Sequence, residues 1–405
     1  MRRTARLLGW SLSVALLVVG AFFVGRAAPG ARAVAAAGPA AGAEPAAGRG
    51  AGAIAGAPPR AAAEGELPRA ASAPAAQGLP HVWFVLGPGT IPRNPSDRLN
   101  YLRYALDPAP RLTGEEMLAQ VPEIARFARV TVDEDNPWDF NSAESLGRLA
   151  AHLTEVLARP DVDGVIVGHG TNTIEETAYW LNLTVKSDKP VVIVGSQRPF
   201  STLSSDGPLN LLNAIRVAGD PASRGKGTLV VLNDEITAAR DVTKTNTYRV
   251  ETFQSREFGF LGYADADQVV YYRAPMRAHT LATEFDVSGV DQFPKVRVLY
   301  AHTGGGDELV HAAVAAGARG LVIAGTGAGS TQDMRSALAD YVQQGIVVVR
   351  ASRLGAGRVV RDDNYQEPGM VAADNLNPQK AWVLLTLALT RTSDPDAIQA
   401  MFDRY

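Results

Sequence analysis

The chain has 405 residues, and its 39 Lys and Arg against 42 Asp and Glu leave a formal net charge of -3 at pH 7. So small a net charge gives no reason to expect a nucleic-acid or membrane-surface partner. The chain has no cysteine, which excludes disulfides, thiolate chemistry and a lipoprotein anchor. Its length and its hydrophobic content of 46% favour two folded domains with a sizeable core.

Residues 1–26 have the layout of an export signal. Three arginines precede an apolar run over residues 7–24, and small residues follow it. The run is also close to the ~20 residues that span a bilayer, so an uncleaved inner-membrane anchor is a second interpretation. We therefore expect a periplasmic or secreted protein, or one anchored to the inner membrane. Residues 27–79 are mostly alanine, glycine and proline, which predicts a disordered linker.

The folded part begins near Pro80, where the composition changes. An apolar strand over residues 81–86 is followed by the turn Gly-Pro-Gly-Thr-Ile. Small residues in this turn let the backbone approach a ligand, and Thr90 supplies an oxygen nucleophile. The polar segment after the turn has the character of a mobile lid and contains Tyr101 and Tyr104.

The stretch GVIVGHGTNTIEETAYWLNLTVKSDKPVVIVGSQRP, residues 164–199, has the pattern of a strand, a turn, a helix and a strand. Its two short apolar runs predict buried parallel strands. Thr173 and Glu176 have the spacing of a capping box, which predicts that the helix begins at the threonines. Thr171 and Asn172 then lie between the carboxyl end of a strand and the amino end of a helix. Open α/β sheets bind their ligands at such positions.

The larger domain continues with a buried strand over residues 228–232, which precedes the segment that contains Lys244. Residues 286–295 are the predicted interdomain linker, and the chain beyond them predicts a second, smaller unit. The glycine-rich runs beyond the linker lack the lysine, serine or acidic partner of a nucleotide site, so no cofactor or metal is expected. The predicted fold class is α/β, with a mostly parallel sheet in a larger N-terminal domain over 80–285 and a smaller α/β domain over 296–405.

Two motifs resemble the bacterial-type asparaginase/glutaminase family. They are the GHGTNT turn with its EETAYWLNLTVKSDKPVV continuation, and DVTKTNT further on. The resemblance runs from His81 to Tyr405. It implies an exported amidohydrolase that attacks a small-molecule side-chain amide and forms an acyl-enzyme on a threonine. It also implies catalytic roles for Thr90, Thr171 and Lys244, and a homotetramer built from dimers.

The resemblance also implies a tyrosine that helps to activate the first threonine. The spacing between this tyrosine and the helix that follows favours Tyr104, with Tyr101 as the alternative. Lys244 is expected to lie inside the protein, with its ammonium directed at Thr171. Partial burial lowers the pKa of such a lysine, which then promotes proton removal from a hydroxyl or a water.

The chain differs from the family at the positions whose side chains bind the α-ammonium and α-carboxylate groups of the substrate in the family. Asn172 stands in place of the aspartate of HGTDT, and Pro137 and Trp138 stand in place of the serine and its neighbour that bind the α-carboxylate. Asp362 stands near the position of a glutamate contributed by a neighbouring subunit. A neutral Asn172 cannot form an ion pair with a substrate ammonium. Each lost charge-assisted contact costs ~1.5 to 3 kcal/mol of binding free energy.

Two functions are open at this point. The first is an amidohydrolase that by resemblance converts L-asparagine and water into L-aspartate and ammonia, with its preference shifted away from free asparagine. The second is a catalytically weak or inactive periplasmic binding or scaffold protein that keeps the same fold. Lys244 favours the enzyme, because a binding protein has little reason to keep a buried lysine beside two threonines.

Overall fold

The computed structural model describes residues 78–133, 138–361 and 369–405. The predicted export signal or anchor, nearly all of the predicted linker, Pro137 and Asp362 lie outside the described residues. Within the described ranges, no helix combines the length and the apolar character that a membrane span requires.

The larger sheet has eight strands within the described residues, in the order β10-β9-β6-β5-β4-β3-β1-β2. Neighbours from β2 to β5 are parallel, whereas β6, β9 and β10 are antiparallel. Two further strands, β7 and β8, form a separate antiparallel pair. The bounds are β1 (His81–Leu86), β2 (Arg129–Asp133), β3 (Gly164–Gly168), β4 (Val191–Val194), β5 (Thr228–Leu232), β6 (Glu235–Ala238), β7 (Thr243–Lys244), β8 (Phe253–Gln254), β9 (Gly262–Ala264) and β10 (Val269–Tyr271).

Helices cover both faces of the parallel part of this sheet. The strands β3, β4 and β5 are therefore buried along their whole length, which explains their continuous apolar runs. Apolar residues on one face of the sheet pack with one hydrophobic cluster, and those on the other face with a second. The helices of this part are α1 (Gly114–Ala119), α2 (Ala143–Ala158), α3 (Ile174–Thr184) and α4 (Gly207–Gly219).

The smaller sheet has four parallel strands in the described residues, in the order β11-β12-β13-β14. Its strands are β11 (Val296–Tyr300), β12 (Gly320–Gly325), β13 (Val347–Ser352) and β14 (Val371–Ala372). Its helices are α5 (Glu308–Ala315), α6 (Arg335–Gln343), α7 (Pro378–Ala388) and α8 (Pro395–Arg404). These two mostly parallel sheets confirm the predicted α/β class, while the predicted domain and linker boundaries stay predictions.

One hydrophobic cluster runs from the larger sheet into the smaller one. The ring of Trp180, on α3, lies 6.3 Å from that of Trp382, on α7, and 5.0 Å from that of Phe293. Buried residues of α3, α7 and the smaller sheet belong to the same cluster. The two parts of the chain thus pack through apolar side chains, and Trp382 has a structural role.

The predicted capping box at the start of α3 is wrong in its chemistry. Thr173 is the N-cap residue, as expected, but its side chain makes no capping hydrogen bond. Its φ of -129° and ψ of 18° are not the extended conformation that places an N-cap oxygen over the first free N–H groups. Glu175, also in the first turn, accepts hydrogen bonds from Thr243 and Asn377, which come from elsewhere in the chain.

Candidate active site

The candidate catalytic residues meet at one edge of the larger sheet. Thr90 follows β1 and Thr171 follows β3, and these two strands are parallel neighbours. Gln197 follows β4, which pairs with β3 on its other side. Because the carboxyl ends of parallel strands share an edge, these three exit loops converge there.

Two glycines let the loops after β1 and β3 approach each other closely. A Cβ atom on Gly89 would lie 2.4 Å from the Cα atom of Gly170, closer than real Cβ contacts. A Cβ atom on Gly170 would lie 3.1 Å from the carbonyl oxygen of Pro88. The backbones are therefore in contact, and this contact holds the loops of Thr90 and Thr171 side by side.

Tyr104 is the tyrosine that contacts Thr90. Its hydroxyl lies 2.9 Å from Thr90 Oγ1, within hydrogen-bond distance. The hydroxyl of Tyr101 donates instead to the carbonyl oxygen of Leu203, at 2.7 Å. Of the two alternatives that the sequence leaves open, the geometry thus favours Tyr104.

Lys244 is directed at Thr171, as expected from the sequence. Its Nζ donates to Thr171 Oγ1 over 2.9 Å. Burial lowers the pKa of Lys244 below its ordinary value of 10.5. The lysine therefore loses its proton more readily than an exposed lysine, which is the property that a proton acceptor needs.

A buried carboxylate holds the Lys244 segment against α3 and α7. Glu175 is only 5% exposed, and its Oε2 accepts from Thr243 Oγ1 and from Asn377 Nδ2, each at 2.7 Å. Lys380, also buried, donates to the backbone carbonyl oxygens of Arg240 and Val242, just before Thr243. Side chains from the C-terminal part of the chain thus position the strand that carries Lys244.

His169 lies in the GHGTNT turn, and its side chain stabilises that turn. Its ring stacks on Phe140 at a centroid distance of 4.2 Å. Nδ1 lies 2.7 Å from the carbonyl oxygen of Gly170 and therefore donates, so Nε2 accepts from the hydroxyl of Thr177, at 2.9 Å. Burial lowers the pKa of His169 from 6.5 to about 4, which keeps the ring neutral near pH 7.

A cavity of about 710 Å³ joins these groups. Among the described residues it is lined by Thr90, Tyr101, Leu102, Tyr104, Thr171, Asn172, Glu175, Gln197, Lys244, Thr245, Asn246, Thr247 and Tyr248. The predicted catalytic residues and Asn172 are thus brought together. Among the residues that the structure describes, no group of three or more His, Asp or Glu side chains is arranged to hold a metal ion, either in this cavity or outside it.

Trp138 is not among the described residues that line the cavity. Its ring lies 5.1 Å from that of His152, on α2, and its Nε1 is buried without a hydrogen-bond partner. Pro137 and Asp362 lie outside the described residues. The substrate-binding roles of these three residues stay predictions.

Sequence reasoning missed Gln197, Glu175 and Asn377. Gln197 had a usable signal, because it follows a buried strand in the same way as Thr90 and Thr171 do. Asn377 had none, because it meets Glu175 across 202 positions of the chain. No local pattern reports a contact of that separation.

Comparison with known proteins identifies this arrangement. Residues 81–277 match the family model of the asparaginase N-terminal domain, and residues 295–402 match that of the glutaminase/asparaginase C-terminal domain. The chain is 45% identical over 350 residues to L-asparaginase 2 of Bacillus subtilis, covering 86% of this chain and 92% of that protein.

Two further comparisons agree. A probable periplasmic L-asparaginase of Haemophilus influenzae is 40% identical over 336 residues, covering 82% of this chain and 94% of that protein. The crystal structure of a probable cytoplasmic L-asparaginase from Campylobacter jejuni matches with a TM-score of 0.74 and 38% identity, covering 80% of this chain and all of that one. The chain therefore belongs to the asparaginase/glutaminase family and is an asparaginase-like amidohydrolase.

Proposed function

We propose that this chain hydrolyses a side-chain amide with Thr90 as the nucleophile. The proposal rests on one observation: Thr90 and Thr171, which both line the cavity, each lie within hydrogen-bond distance of a side chain that can accept or donate a proton. Tyr104 lies 2.9 Å from Thr90, and Lys244 lies 2.9 Å from Thr171. A threonine hydroxyl is a weak nucleophile until a neighbouring group takes its proton, so both pairings have chemical sense.

In the first step, Thr90 Oγ1 attacks the carbonyl carbon of the amide. The hydroxyl proton of Thr90 passes to Tyr104, whose own proton passes to the departing nitrogen. The C–N bond breaks, ammonia leaves, and the acyl group stays on Thr90 as an ester. Tyr104 ends the step as it began, so protons balance.

In the second step, a water attacks the ester carbonyl carbon. Thr171 positions this water, and neutral Lys244 takes its proton through the Thr171 hydroxyl. The bond between the acyl carbon and Thr90 breaks, and the proton returns to the Thr90 oxygen. The products are a carboxylic acid and the free enzyme.

The family supports a small-molecule carboxamide as substrate, and the names of the relatives point to asparagine and glutamine side chains. We propose that free asparagine is not the preferred member of this class. Asn172 is neutral, and it lines the cavity next to Thr171. It offers an amide dipole where pairing with an α-ammonium needs a carboxylate.

We further propose that the protein is exported and forms a tetramer built from dimers. A relative named as periplasmic and the N-terminal arginines before an apolar run support export. The proposed oligomer rests on the resemblance to the family. Light scattering at micromolar concentration tests it, and a monomer would remove any role for Asp362 in a neighbouring subunit.

The nucleophile is tested by Thr90→Val, with Thr303→Val as the matched control at an exposed position outside the cavity. Substrates are screened over amino-acid amides, lactams and small peptides, with ammonia release as the readout. Thr90→Val should abolish turnover on every substrate found and keep the thermal midpoint within a few degrees. Turnover retained by Thr90→Val would show that another group is the nucleophile.

A further inference from the structure

Glu175 connects the segment that carries Thr171 to the strand that carries Lys244. It lies in the first turn of α3, shortly after Thr171 in the chain. Its Oε2 accepts from the hydroxyl of Thr243, the residue just before Lys244, at 2.7 Å. Its Oε1 lies 3.5 Å from the backbone nitrogen of Lys244. One side chain thus joins the two segments that bring Thr171 and Lys244 together.

Asn377, from the C-terminal part of the chain, is the second partner of Glu175. It is the N-cap residue of α7, where its Oδ1 accepts from the backbone N–H of Lys380 at 3.0 Å. This hydrogen bond sets the orientation of the amide, so Nδ2 is the end that donates to Glu175 Oε2, at 2.7 Å. Lys380 Nζ in turn donates to the carbonyl oxygen of Val242. The hydrogen bonds therefore return to the start of β7 and form a closed ring.

The contacts of Glu175 suit an ionised carboxylate. The described groups that face its two oxygens are donors: a hydroxyl, a side-chain amide N–H and, at a longer distance, a backbone N–H. A carboxylate accepts at both oxygens, whereas the amide of a glutamine has one oxygen and one NH₂ group. Hydrogen bonds to a charged acceptor are also roughly twice as strong as neutral ones. Glu175 is only 5% exposed, so water competes little for these bonds.

We propose that Glu175 is a positioning residue, which acts with Asn377 to hold Lys244 at hydrogen-bond distance from Thr171. The inference rests on the proposed function, in which Lys244 takes a proton through the Thr171 hydroxyl. That transfer needs the 2.9 Å contact between Lys244 Nζ and Thr171 Oγ1. A lysine side chain is flexible, so this contact depends on where β7 is held. Helix α7 thereby helps to determine the position of a base that lies in the larger domain.

Steady-state kinetics on a substrate found in the screen tests the positioning role. Glu175→Gln keeps the size of the side chain and removes its charge. The matched control is Glu308→Gln, which changes an exposed glutamate in the first turn of α5. We expect Glu175→Gln to lower kcat about 10- to 100-fold and to leave KM within about threefold of the native value, the effect of a displaced catalytic group. Glu308→Gln should change neither constant.

The split between kcat and KM distinguishes positioning from substrate binding. Glu175 lines the cavity, so a direct contact with the substrate is the alternative role. Loss of such a contact would raise KM and leave kcat unchanged. That result in Glu175→Gln would overturn the proposal.

A reciprocal exchange tests whether Glu175 and Asn377 act through each other. Asn377→Asp places a second carboxylate against Glu175, so kcat should fall, whereas Asn141→Asp at an exposed position should have no effect. The double variant Glu175→Gln, Asn377→Asp exchanges the two groups, and the amide then donates to the carboxylate from the other side. We expect its kcat to return to within about fivefold of the native value. Losses that simply add in the double variant would contradict the proposal, because independent sites behave in that way.

Crystal structures of the full-length variants give a readout that needs no activity. In Glu175→Gln we expect Lys244 Nζ to lie more than about 3.5 Å from Thr171 Oγ1, beyond hydrogen-bond distance. Thr243→Val removes only the hydroxyl next to Lys244 and should have the same effect, so the test stands even if Glu175→Gln does not fold. If no amide is hydrolysed, the proposed function fails while these structures still report on the position of Lys244. An unchanged distance in both variants would overturn the inference alone.

Discussion

The Nζ atom of Lys244 lies 2.9 Å from Thr171 Oγ1, and the residue next to that threonine is the neutral Asn172. Burial lowers the pKa of Lys244, with no carboxylate at position 172 to raise it. A lysine in this setting is neutral over a wider range of pH than an ion-paired one. In the proposed mechanism, position 172 offers no charge to a substrate ammonium, whereas Lys244 serves as the base.

The pH dependence of activity should report on this arrangement. The proposed mechanism requires neutral Lys244, so kcat should rise with pH as Lys244 loses its proton. Asn172→Asp adds a carboxylate near the lysine, which favours the charged ammonium and raises its pKa, so the rising limb should move about 1 to 2 pH units upward. Asn141→Asp, which adds the same charge at an exposed position outside the cavity, should not move it. A limb that stays in place in Asn172→Asp would argue against Lys244 as the base.

The two tyrosines beside the cavity should differ in their effect on the reaction. Tyr104→Phe removes the hydroxyl that contacts Thr90, so kcat should fall by about 10²- to 10⁴-fold, the usual contribution of general acid–base catalysis. Tyr101→Phe removes only the hydrogen bond to Leu203, so its kcat should stay within a few fold of the native value. Steady-state kinetics on one substrate checks both variants. Equal losses in the two variants would contradict a specific role of the Tyr104 hydroxyl in the reaction.

His169 should make the protein sensitive to acid. The pKa of His169 is about 4 in the folded state against 6.5 ordinarily, so the unfolded chain binds a proton first as the pH falls. Stability should therefore be unaffected by this group above pH 6.5 and decline as the pH drops toward 4, by roughly 3 kcal/mol in all. Urea unfolding between pH 7 and pH 4.5 measures the decline. His169→Gln should reduce it and exposed His302→Gln should not, and equal acid sensitivity of these two variants would contradict the assignment.

The parts of the fold that could be predicted are those with a local physical signature. The strand Val191–Val194 appears as predicted, because an apolar run of four β-branched residues between a proline and a glycine is too short for a helix and is typical of a strand buried on both faces. Thr90 and Thr171 could be placed at one sheet edge, because each directly follows such a strand. Lys244 needed the resemblance, because a lysine beside a two-residue strand has no periodic pattern of its own.

The rest depends on contacts that a sequence pattern does not contain. The link from Asn377 to Glu175 joins α7 to α3, and the contact of Gln197 with Thr171 depends on two loops meeting in space. The residues from Thr173 onward match the sequence pattern of a capping box, but the backbone conformation of Thr173 does not allow its hydrogen bond. The ring of Trp138, which alignment assigned to the substrate, lies 5.1 Å from that of His152, and its substrate-binding role stays a prediction. These contacts are tertiary and leave no pattern in the sequence.

The most direct test of the account is ammonia release from free L-asparagine and L-glutamine at neutral pH, with the native protein and with Asn172→Asp. We expect negligible release from both amino acids, because Asn172 offers no carboxylate to their α-ammonium group. We also expect little recovery in Asn172→Asp, because Pro137 cannot supply the hydroxyl that binds an α-carboxylate. Native turnover of free asparagine at the rate of an ordinary asparaginase, with a submillimolar KM, would contradict the shifted substrate preference.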